Sequence, residues 1–172
     1  MKKIAVVAVL VMALAWCGMA FAFENEPEGF RGLKWGDAPT SKMKLFREAD
    51  KWTAIYRLPG EKLELGEAKL LDICYGFYVP PNNSSKRLMS VSLYFGEKSN
   101  YGKLETVCRG KFGEPTKEGF YELVWVSPVS SVLLAYMPVD KMGYLALNDQ
   151  EIWQEYLDEK EKRELKEAEE DW

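Results

Sequence analysis

Residues 69–95 read "KLLDICYGFYVPPNNSSKRLMSVSLYF", and this stretch decides the fold class. Leu71, Ile73, Tyr75, Phe77 and Val79 fall on one face of an extended chain, which leaves Cys74 on the other. Beyond the Pro-Pro-Asn-Asn-Ser-Ser-Lys turn, Met89, Val91, Leu93 and Phe95 alternate with Leu88, Ser90, Ser92 and Tyr94. Two alternating runs joined by turn residues predict an antiparallel pair with one oily face and one mixed face. Asn82 and Asn83 open two overlapping glycosylation sequons, read here as a polar hairpin turn.

Upstream, Asp37 can cap a helix with Pro39 in its first turn, and Met43, Phe46 and Ala49 recur at helical spacing. That pattern predicts a helix ending near Asp50. "WTAIYRL" (52–58) then predicts a short strand before the Pro59-Gly60 turn. Downstream, "NYGKLETVCRGKFGEP" (100–115) predicts a helix capped by Asn100, with Tyr101, Leu104, Cys108 and Phe112 as its apolar stripe. "YELVWV" (121–126), "SVLLAYM" (131–137) and "GYLALN" (143–148) predict three further strands. The expected class is α+β: an antiparallel sheet with helices on one face, built over residues 23–148 from two helix-plus-three-strand halves. Tyr75, Phe77, Val91, Leu93, Leu104 and Phe112 should share one core.

Residues 149–172 predict a charged C-terminal helix docked at its start. Ile152, Trp153, Tyr156 and Leu157 form the docking patch, and from Glu159 onward charge dominates. That distal half is expected to stay in solvent, so losing it should cost no more than about 1 kcal/mol.

Residues 1–22, "MKKIAVVAVLVMALAWCGMAFA", have the anatomy of a secretory signal: Lys2 and Lys3, an apolar run, then Ala20-Phe21-Ala22 at the cleavage position. The uncharged run from Ile4 to Trp16 is shorter than the ~18 residues a membrane span needs, so no stable membrane insertion is expected after cleavage. Lipidation at Cys17 is the lesser alternative, because the bulky Trp16 stands where a small residue is wanted. A periplasmic or secreted location follows.

Apolar residues make up 47% of the chain, which fits one globular domain. Acidity concentrates at the end: from Asp149 onward there are 11 acidic and 4 basic residues. The body is nearly neutral and shows no basic stripe, which argues against a nucleic-acid partner. Cys74 and Cys108 meet a compartment that permits a disulfide, worth up to ~4 kcal/mol. Strand parity opposes the pairing, although a bulge could restore it.

The chain has no histidine, the commonest general base and transition-metal ligand. No CxxC, phosphate loop or dinucleotide glycine pattern is present, so neither metal nor cofactor is expected. Two carboxylate clusters, Glu61/Glu64/Glu67 and Glu114/Glu118/Glu122, offer the one route to acid–base chemistry. Interspersed lysines make them read as solvated surface, and no catalytic residue is assigned.

"EGFRGLKWGD" (28–37) places Phe30, Leu33 and Trp35 among glycines. These rings either pin the N-terminal segment over the sheet or form an exposed aromatic platform. Together with "YGFYV…LMSVSLYF" and "KFGEP", the motif resembles bacterial exported proteins that open with F-x-G-x-x-W-G, a group that implies export and assigns no activity. The doubled plan also resembles, in architecture, the β-lactamase inhibitor protein and small outer-membrane assembly lipoproteins. The expected function is a non-enzymatic envelope module that binds another protein through its sheet or its charged tail. The alternative is a small-molecule or envelope-component binder with a pocket rimmed by Trp35, Tyr78 and Tyr94. Phe30 and Trp172 complete the candidate binding residues.

Overall fold

A computed structural model describes residues 22–81 and 85–170. The expected signal peptide up to Phe21, Cys17, both sequon asparagines and Trp172 lie outside the described residues. The chain runs through β1 (Gly29–Phe30), β2 (Leu33–Lys34), β3 (Lys44–Asp50), β4 (Thr53–Arg57), β5 (Glu64–Leu65), β6 (Ala68–Lys69), β7 (Asp72–Tyr78) and β8 (Arg87–Gly96). Helix α1 (Lys98–Phe112) follows, then β9 (Lys117–Gly119), β10 (Glu122–Val126), β11 (Ser130–Met137), β12 (Met142–Asp149) and helix α2 (Gln150–Glu170). Eight strands form one antiparallel sheet in the order β3-β4-β7-β8-β12-β11-β10-β9. The α+β class stands, with β8 and β12 at the centre. No helix among the described residues is long and apolar enough to cross a membrane.

The expected helix over 37–50 is absent, and with it the plan of two like halves. Residues 44–50 instead form the edge strand β3, exposed along all seven positions. The register explains why the spacing misleads. Leu45 pairs with Tyr56 and Arg47 with Ile55, while Glu48 pairs with Ala54 and Asp50 with Thr53. Phe46 and Ala49 are therefore the inserted residues of two bulges, and insertion turns a two-residue period into a helix-like spacing of three. Asp50 Oδ1 accepts the Trp52 amide at 2.7 Å and closes the hairpin. Asp37 caps no helix: its carboxylate takes the Lys34 amide at 2.8 Å, and its carbonyl takes the Leu88 amide.

The main core packs α1 against one sheet face. Tyr75, Phe77, Val91, Leu93, Leu104 and Phe112 do share one cluster, joined by Trp125, Leu134 and Leu145. Asn100 lies inside α1 rather than capping it, and it ties the helix to its surroundings by accepting the Lys69 amide and donating to the Gly96 carbonyl. A bulge at the Gly76/Phe77 step sets Leu88 opposite Phe77 and displaces Met89 from the oily face. Leu88 enters the main core, whereas Met89 joins Tyr78, Ile152 and Tyr156 in a second cluster. Because successive strand residues point to opposite faces, Phe77 and Tyr78 mark the two sides of the sheet. The helices thus pack on opposite faces rather than on one.

Helix α2 is docked at its start through part of the expected patch. Asp149 Oδ1 accepts the Ile152 amide at 2.8 Å, a side-chain N-cap. Ile152 and Tyr156 are buried, whereas Trp153 and Leu157 of the expected patch are more than one-third exposed. From Asp158 to Glu169 every side chain but Glu159 and Arg163 is exposed, as expected of a solvated half, though contacts reach back from the helix to the β3–β4 turn. The Arg163 guanidinium stacks on Trp52 at 3.6 Å, Tyr156 donates to Asp50 at 2.9 Å, and Lys51 faces Glu167. The helix is a strap from β12 to the β3–β4 turn.

"EGFRGLKWGD" folds as a miniature hairpin. Phe30 pairs with Leu33, and the turn residues Arg31 and Gly32 have φ of 49° and 85°. Two positive φ values in a two-residue loop are those of a type I′ turn, which the glycine favours. A Cβ on Gly29 would sit 1.9 Å from the Leu33 carbonyl oxygen, so the close approach needs glycine there.

Candidate functional site

The face opposite α1 is covered by α2 at one end only. At the other end, β3, β4, β7, β8 and the start of β12 enclose an open hollow of about 320 Å³. Its floor is small and polar, because Cys74 and Gly76 on β7 meet Ser90 and Ser92 on β8. Tyr94 extends that floor. Phe46, Ile55, Leu71 and Met142 supply the apolar walls, and Phe46, Leu71 and Met142 are each at least 40% exposed. Apolar side chains so exposed around one concavity mark a binding surface better than scattered ones would.

Charge is built into this wall. The Arg57 guanidinium lies on the Phe46 ring, 3.4 Å from its centroid, and pairs with the Asp72 carboxylate. Cys74 donates to Asp72 at 3.5 Å. Arg47 lines the same hollow and forms no ion pair among the described residues. A second hollow of about 310 Å³ adjoins the first across Phe46, Arg57 and Asp72, with Leu45, Leu58 and Leu63 along its sides.

Of the expected binding residues, only Tyr94 lies in this hollow. Tyr78 is fully buried, with its ring 6.2 Å from Tyr156, so it rims no pocket. Phe30 and Trp35 are half-buried against the main core, and the Trp35 indole donates to the Pro27 carbonyl. They pin the N-terminal segment. The pocket rimmed by Trp35, Tyr78 and Tyr94 does not form, since these residues are dispersed among different packing sites. Phe46, read from the sequence as a helix residue, and Arg57 and Asp72 were not among the expected site residues. The alternation of Cys74 and Gly76 with Ser90 and Ser92 was the available signal, for it marks a sheet face built from small side chains.

Four of the six carboxylates in the two clusters, Glu61, Glu64, Glu114 and Glu118, are paired with cations. Glu61 takes hydrogen bonds from Arg31 and from the Tyr75 hydroxyl, and burial followed by that carboxylate raises the tyrosine well above its ordinary range. Lys62 and Lys69 hold Glu64 down to about 2. Arg109 gathers Glu105, Glu114 and Glu118. These arrangements neutralise charge and hold loops in place.

Cys74 and Cys108 are both free thiols. One borders the open hollow and the other lies in the main core, so the sheet stands between them and no disulfide forms. Burial pushes Cys108 up to about 12, and burial together with Asp72 raises Cys74. Of the two described thiols, only Cys74 should react with a bulky aromatic disulfide in the folded protein; equal rates at both in native buffer would contradict this placement. Burial also lifts Tyr101 to about 12. Both groups keep their protons longer in the fold than in the unfolded chain. Their contribution is therefore whole below about pH 9 and lost as pH rises toward about 12, which an alkaline titration followed by circular dichroism would detect.

Comparison with protein-family models, curated proteins and solved structures finds no match.

Proposed function

We propose that this chain is an exported, non-enzymatic binding module that holds another envelope protein on the open corner of its sheet. The observation that carries this reading is the association of an entirely exposed edge strand, β3, with two adjoining hollows rimmed by exposed Leu45, Phe46, Leu71 and Met142. Strand addition along β3 is disfavoured, since two bulges and the charges of Lys44, Arg47, Glu48 and Asp50 interrupt the edge. The partner is instead held by side chains seated in the hollows. A small-molecule ligand is the second reading, favoured by the volume of the polar-floored hollow, near the lower end for ligand sites.

Position-specific photo-crosslinking in cells tests the first reading. A photoreactive residue at Phe46 or Leu71 should give a discrete protein adduct, whereas one at Thr106 on the outer side of α1 should give none. Absence of adducts at Phe46 and Leu71, or equal yields at all three positions, would refute it.

A further inference from the structure

The wall shared by the two hollows contains an unmet donor. Arg57 gives Nη2 to Asp72 and its ring-facing surface to Phe46, yet its Nε–H is buried without an acceptor. Arg87 and Arg163, which also lie on aromatic rings, leave the same nitrogen unpaired, so it is the 42% of the Arg57 side chain still exposed beside the hollow that a ligand's acceptor can meet. Arg47 adds a second guanidinium with no ion pair among the described residues, against the single carboxylate of Asp72 in the same lining. The hollow therefore has an excess of positive charge at a point where apolar walls reduce competition from water.

Resting on the protein-binding reading above, we propose that the partner inserts an acidic side chain, flanked by apolar ones, into this hollow. Its carboxylate pairs with the solvent-accessible part of the Arg57 guanidinium and with Arg47. Its neighbours cover the walls formed by Leu71 and Met142. The guanidinium is held in position from two sides, by the Phe46 ring and by Asp72, so less side-chain freedom is lost on binding. Charge-assisted hydrogen bonds of this kind favour a carboxylate over the neutral amide of the same shape.

The test uses Ala-Leu-Glu-Leu-Ala-amide carrying fluorescein on its N-terminal amine, with glutamine and lysine versions labelled at the same amine as controls, and reads anisotropy together with the Arg57 Nε–H nuclear magnetic resonance signal. The glutamate peptide should bind about tenfold more tightly than the glutamine peptide and shift that signal. Arg57→Lys should abolish the preference with the near-ultraviolet spectrum unchanged, and Arg47→Gln should weaken binding about threefold, with added salt reducing the difference. Equal affinity of the glutamate and glutamine peptides overturns the proposal. So does an unmoved Nε–H signal, no binding at millimolar peptide, or an equal shift produced by inorganic phosphate. If any of these occurs while cross-links still form from Phe46 and Leu71, the acidic-side-chain chemistry fails and the binding surface stands. If the cross-links fail as well, both readings fall.

Discussion

Trp125→Ala should destabilise the protein by about 3–5 kcal/mol, the range for removing a buried large aromatic side chain. Trp125 has no solvent exposure and packs on Phe112 with ring centroids 6.0 Å apart. Its indole also donates to the Gly113 carbonyl at 3.0 Å, where α1 ends. Truncation thus opens a cavity and leaves an acceptor at the helix terminus unpaired. Trp125→Phe should recover most of the packing but not the hydrogen bond, and so fall between the two. Urea denaturation of the three proteins provides the measurement. A loss below about 1 kcal/mol for the alanine variant would mean that the β10 face is assigned to the wrong side.

Ending the chain at Asp149 should be at least as damaging, because α2 supplies two of the four buried residues of the second cluster. Tyr78 and Met89 have almost no exposure, and Ile152 and Tyr156 are what shields them. Stripping those contacts should cost about 4 kcal/mol or more and lower the melting temperature by about 10 °C. Ending instead at Leu157 keeps the docked turn and loses the Arg163 stack on Trp52 and the Lys51–Glu167 pair. That shorter deletion should cost about 1–2 kcal/mol, since one half-buried cation–π contact and a surface ion pair contribute little. Equal melting temperatures for the two truncated proteins would show that α2 is not docked through Ile152 and Tyr156.

The shorter deletion marks a difference between charge pattern and structure. Residues 159–170 are so dominated by charge that solvation is the natural reading of the sequence. Arg163 nevertheless has an aromatic ring to lie on, because the long guanidinium side chain can cover apolar surface while its edge stays wet. The ring belongs to Trp52, 111 positions earlier in the chain, and no local pattern connects the two.

Much of the architecture is legible from local chemistry. The alternation in β7 and β8 is a backbone property, and so is the stripe of Tyr101, Leu104, Cys108 and Phe112 on α1. A period of two or of 3.6 follows from strand and helix geometry alone, and these segments carry it clearly. What needed the tertiary structure were the positions where a bulge breaks the period. Phe46 and Ala49 imitate a helix because each is an inserted residue, and Met89 changes sides because β8 slips against β7. Bulges are set by which strands meet, and that choice is made by the whole sheet. The open corner follows the same rule. Phe46, Arg57 and Asp72 lie on three different strands with no spacing in common, and only the pairing of β3 with β4 and of β4 with β7 brings them to one wall.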